Sequence, residues 1–64
     1  MVEIGRKYKT KDGKNVIIER HVKYEDCTIF KGNNTYDYNE KGEAFFVLMF
    51  KGRFRSEKND IIIE

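Results

Sequence analysis

The stretch EAFFVLMFKGRFR, residues 43–55, decides how this chain folds and what it presents to its surroundings. Six apolar side chains, Phe45 to Phe50, run without a polar break, and Lys51, Gly52, Arg53, Phe54 and Arg55 follow. Taken as one strand over residues 44–55, its even positions are Phe46, Leu48, Phe50, Gly52 and Phe54, an apolar face suited to the core. The odd positions change character. Phe45, Val47 and Met49 are apolar, whereas Lys51, Arg53 and Arg55 are basic. Three large apolar side chains left in water forgo about 1.5–3 kcal/mol each of burial. A second copy of the chain laid over Phe45, Val47 and Met49 recovers that energy, with a basic stripe emerging where the contact ends. Two other readings stay open. A helix from Glu43 to Phe50 is apolar nearly all round, and Gly42 and Gly52 bracket a span shorter than most stable helices. In the other, the Asn39–Gly42 turn folds a neighbouring loop over Phe45 and Val47.

A chain of 64 residues is expected to be one domain, 1–64, with only a thin core unless a disulfide, a metal or a partner subunit supplements it. Cys27 is the only cysteine, so no intrachain disulfide forms, and its apolar neighbour Ile29 suggests a buried, inert thiol. With His21 and Cys27 as the only soft ligands, no metal site is expected. Self-association remains, with a dimer as the default because two-fold closure is the commonest symmetry. Nine aromatic residues argue against disorder, and the lack of an apolar leader or membrane-length run points to a cytoplasmic chain without a membrane partner. The net charge of +2 is unevenly spread: residues 1–23 carry +4, residues 24–49 carry −3 and residues 50–64 carry +1. That small excess disfavours nonspecific binding to duplex nucleic acid.

The punctuation of the chain is that of hairpins. Asp12-Gly13 separates a polar strand, Lys7–Thr10, from an apolar one that begins at Val16. Gly32-Asn33-Asn34 and Asn39–Gly42 are further turn clusters, and Ser56–Asn59 is a polar break before Asp60–Glu64. Along Val16–Tyr24 the even positions face one way and the odd ones the other, Ile17 and Arg20 being exceptions to the apolar-in pattern. Five or six short strands without a helix of useful length predict an all-β domain, either a small antiparallel barrel or a strongly twisted sheet.

Reaction chemistry finds little material. Glu19 and His21 lack an accompanying nucleophile, Asp37, Glu40 and Glu43 match no calcium-loop spacing, and no glycine-rich phosphate loop is present. The chain is therefore expected to be no enzyme and to need no cofactor. Binding is better supplied, since Lys51, Arg53 and Arg55 offer anion donors while Tyr36 and Tyr38 offer stacking rings.

The run Gly5-Arg6-Lys7-Tyr8-Lys9-Thr10-Lys11-Asp12-Gly13-Lys14-Asn15-Val16, then Tyr36-Asp37-Tyr38-Asn39-Glu40-Lys41-Gly42 and a terminal Asp60-Ile61, resembles small β-proteins of tailed phages. Those open on a T-x-D-G-x-x-V hairpin, pass a Y-N-x-x-G turn and close on an Asp-Ile or Asp-Leu strand. The resemblance implies an all-β phage protein acting in the host cytoplasm, and it departs from the pattern at the Phe45–Arg55 run. Small phage proteins outside the virion are often counter-defence or host-takeover factors. The expectation is a homo-oligomer that captures a nucleotide-like anion or a nucleic acid through Lys51, Arg53, Arg55, Tyr36 and Tyr38. The competing one is a direct inhibitor that binds a host protein through its apolar strand face.

Overall fold

The computed structural model describes residues 2–63. Seven strands follow one another: β1 (Lys7–Thr10), β2 (Asn15–Lys23), β3 (Thr28–Gly32), β4 (Asp37–Tyr38), β5 (Ala44–Leu48), β6 (Gly52–Arg55) and, after a 3-10 turn at Glu57–Asn59, β7 (Ile61–Ile62). They form one sheet in the order β6-β5-β4-β3-β2-β1-β7, and every neighbouring pair is antiparallel. The first six strands are thus a meander. The 3-10 turn then carries the chain across so that β7 joins the far side of β1. The all-β expectation holds, with seven strands instead of five or six because β4 and β7 are only two residues long.

Curvature, not closure, makes the interior. β6 and β7 remain edges, so the sheet is not a barrel. It nevertheless bends far enough for the Ile61 N–H to reach the Gly42 carbonyl at 3.0 Å, just before β5. Inside that bend lie Val2, Tyr8, Val16, Ile18, Phe30, Tyr38, Ala44 and Ile61, with Tyr36 and Ile63 against them. Val16 and Ile18 enter it from alternate positions of β2, as the pleat requires. A bulge then changes the alternation: Ile18 pairs with Gly32 but Arg20 pairs with Lys31, which leaves Glu19 as the extra residue. Arg20 therefore turns to the outer face, and His21 moves to the side of Phe30, with ring centroids 5.9 Å apart. This is why Arg20 looks exceptional when parity is read straight through β2.

The stretch that opens the sequence reading is not one strand. β5 ends at Leu48, the Lys51 N–H donates to the Leu48 carbonyl at 3.2 Å, and β6 starts at Gly52, whose φ of +94° suits glycine alone. Parity survives the turn, because Phe46 pairs with Phe54, Val47 with Arg53 and Phe45 with Arg55. The even face is not core, however. Phe46, Leu48, Phe50 and Phe54 are all exposed, since the hairpin runs on past the strands that would cover it. Cys27 is corrected too. It lies exposed in the β2–β3 turn, where the Tyr24 N–H donates to its carbonyl.

Candidate functional site

The β5–β6 hairpin has a locked root and a bare tip. At the root, the Arg55 guanidinium grips Asp60 with both arms, Nη1 to Oδ1 at 2.7 Å and Nη2 to Oδ2 at 3.0 Å. Nη1 also donates to the Ala44 carbonyl at 3.0 Å, and Nη2 lies 3.4 Å from Glu43 Oε2. Asp60 Oδ1 in turn accepts the Ala44 N–H at 2.6 Å. The hydrogen bond from Arg55 holds the Asp60 carboxyl below its ordinary pKa despite its burial, and the same bond raises that of Arg55. Such a fork-to-fork pair is directional as well as strong, so it fixes where the hairpin leaves the sheet. The neighbouring polar residues are satisfied: Asn59 donates to Asp12 at 3.1 Å, and Asp12 also accepts from the Thr10 hydroxyl.

One face of the hairpin carries arginine over phenylalanine. The Arg53 guanidinium carbon sits 4.5 Å from the Phe45 ring centroid and that of Arg55 sits 5.4 Å from it. Apolar and basic side chains thus lie side by side across two strands, not end to end along one. The opposite face is aromatic, with Phe46 beside Phe54 and Tyr36 at 6.1 Å from Phe46 between centroids. At the tip Met49 is 87% and Phe50 93% exposed. The whole chain exposes 4776 Å², above the roughly 4300 Å² that size scaling gives a compact 7.7 kDa monomer.

The residues expected to hold an anion are not brought together. Asp37 pairs with Phe45, and Phe45 with Arg55, which places the arginines on the face shared by Asp37. Tyr38 pairs with Ala44 on the other face, where it is 0% exposed and its hydroxyl accepts the Asn34 amide N–H at 2.8 Å. Burial raises its pKa, and no base reaches its ring. Tyr36 is half-buried against the core and Phe46, Arg55 is committed to Asp60, and Lys51 is exposed in the tip turn. Arg53 borders a cleft of about 330 Å³ with Tyr24, Asp26, Ile29, Asp37 and Val47, where Asp37 is already paired with Lys31 at 2.7 Å. Of the expected oligomer contacts, Phe45 is half-buried beneath the guanidiniums, whereas Val47 and Met49 are exposed.

Sequence reading missed Phe46, Leu48, Phe50 and Phe54 as surface residues, and Asp60 as the hairpin's anchor. Lys51-Gly52 was the signal for the turn, but it was masked by the apolar run ahead of it. Among the described residues no group of three or more His, Cys, Asp or Glu is gathered to hold a metal ion, and no helix is long and apolar enough to cross a membrane. Comparison with known proteins adds no relative: no family model, no curated protein and no solved structure matches the chain.

Proposed function

We propose that this chain is a non-enzymatic binding protein whose working part is the β5–β6 hairpin, inserted by its apolar tip into a second protein. The observation that carries this reading is the contrast along the arm, from a root tied by Arg55 and Asp60 to a tip where Met49 and Phe50 are almost wholly bare. A hairpin tied at its root loses less conformational freedom on docking than a disordered segment does, and phenylalanine, methionine and arginine are enriched in the cores of protein interfaces. The resemblance to small tailed-phage proteins suggests the setting, a host protein taken over or a defence protein blocked, since the hairpin is where this chain departs from them. Capture of a nucleotide-like anion has weaker support. Tyr38 is buried, Arg55 is paired with Asp60, and Tyr36 packs against the core and Phe46, so Arg53 lacks the stacking rings that such a ligand needs.

Site-specific photo-crosslinking from position 50 tests the proposal, with position 17 on β2 as the control because Ile17 is also exposed. The expected result is one heterologous adduct from position 50, lost on Met49→Asp, and none from position 17. Adducts between two copies of the chain alone would replace the proposal with self-association through Val47 and Met49.

A further inference from the structure

β6 is an outermost strand, and its register determines which of its backbone groups are unpaired. The Ser56 N–H donates to the Ala44 carbonyl, and the turn closes at Leu48 and Gly52. Antiparallel pairs alternate between hydrogen-bonded and open ones, so Phe46–Phe54 is bonded while Phe45–Arg55 and Val47–Arg53 are open. The N–H and C=O groups of Arg53 and Arg55 therefore point out of the sheet edge. Their side chains share one face, and Phe54 lies on the other. Among the described residues, ion pairs occupy Arg6, Lys11, Lys31 and Arg55, and no carboxylate pairs with Lys51 or Arg53.

Building on the hairpin as the docking arm, we infer that the β6 edge accepts an extended segment of the partner protein that alternates acidic and apolar residues. The added strand hydrogen-bonds to the outward groups of Arg53 and Arg55, sets a carboxylate against Arg53, and covers Phe54 with an apolar side chain. A second copy of this chain does not fit. A two-fold antiparallel pairing keeps each face on its own side, so odd positions meet odd positions and Arg53 and Arg55 are set against one another. The same cations that block self-pairing select an acidic strand, which is specificity by repulsion as well as attraction.

The test uses the full chain, amide NMR and three seven-residue peptides. One alternates Glu and Val, one alternates Lys and Val, and one is the Glu peptide with every second backbone nitrogen methylated to break the ladder. The Glu peptide is expected to shift the Arg53 and Arg55 amides and slow their exchange, binding about tenfold tighter than either of the others. Arg53→Glu should reverse the order of the Glu and Lys peptides. Equal binding of the methylated peptide, shifts confined to other strands, or no shift at millimolar peptide would each overturn the inference. If the position-50 adduct forms normally with Arg53→Glu, the edge inference falls and hairpin docking stands. Loss of that adduct in the unaltered chain removes docking itself.

Discussion

Arg55 and Asp60 meet through two parallel hydrogen bonds, and the pair joins the last residue of β6 to the residue just before β7. It does so where the two ends of the curved sheet come near each other, since Asp60 also accepts the Ala44 N–H. Asp60→Ala leaves the buried Ala44 N–H without its acceptor and takes the two-point partner from the exposed Arg55 guanidinium, which keeps only the Ala44 carbonyl and Glu43. The orphaned N–H is expected to cost about 1–3 kcal/mol of stability, read as a lower urea midpoint with unchanged slope. Arg55→Lys keeps the charge but not the fork, so it should also lower the midpoint.

The same pair sets the acid limit of the fold. Asp60 has a folded pKa below its unfolded value, so its contribution is full above the ordinary carboxylate range and is lost as pH falls through the folded value. Asp12, lowered chiefly by the Thr10 hydroxyl, acts in the same direction. Stability should stay level from neutral pH down to about 5 and decline below about 4. Asp60→Asn should flatten that decline, and urea midpoints measured at several pH values would show it. Identical pH profiles for the two proteins would deny Asp60 this role.

Gly42 holds a second joint. Its φ is +81°, and a Cβ placed there would meet Ile61 Cγ1 at 2.7 Å and Ile63 Cδ1 at 3.0 Å. Gly42→Ala should therefore cost about 1–3 kcal/mol through backbone strain and displacement of the Ile61 and Ile63 side chains. Thermal unfolding checks this, and a melting temperature within a degree of the unaltered chain would refute it.

The tip should behave in the opposite way. Phe50→Ser removes a side chain that the fold leaves bare, so its effect on stability is expected to lie within about 0.5 kcal/mol. Partner affinity, by contrast, should fall by at least about 2 kcal/mol, the loss typical of an interface anchor. A destabilised Phe50→Ser protein would mean that the tip packs on its own domain.

Much of this architecture was legible in the residues, and the illegible parts have physical reasons. Asp12-Gly13 marked the first turn, where Gly13 alone takes the positive φ and its N–H donates to the Thr10 carbonyl. Period-two patterning located β2 up to the bulge at Glu19, which no residue type announces. Parity correctly put Phe46 with Phe54 and Val47 with Arg53 on shared faces, because a three-residue turn preserves it. What parity does not reveal is which face has a neighbour to cover it. Hydrophobic pattern assigned Phe46, Leu48, Phe50 and Phe54 to a core whose volume Tyr8, Phe30 and Tyr38 already fill. Arg55 looked like a ligand donor for a similar reason: its partner Asp60 lies beyond the Ser56–Asn59 break, and only the chain reversal brings the two together.

Native mass spectrometry of the chain purified from the cells in which it acts is the most direct measure of hairpin docking. The prediction is a heterocomplex of one chain with one larger protein, lost when Phe50 is replaced by Asp while the chain itself stays folded. A free monomer carrying a nucleotide-sized mass, unaffected by that substitution, would contradict it.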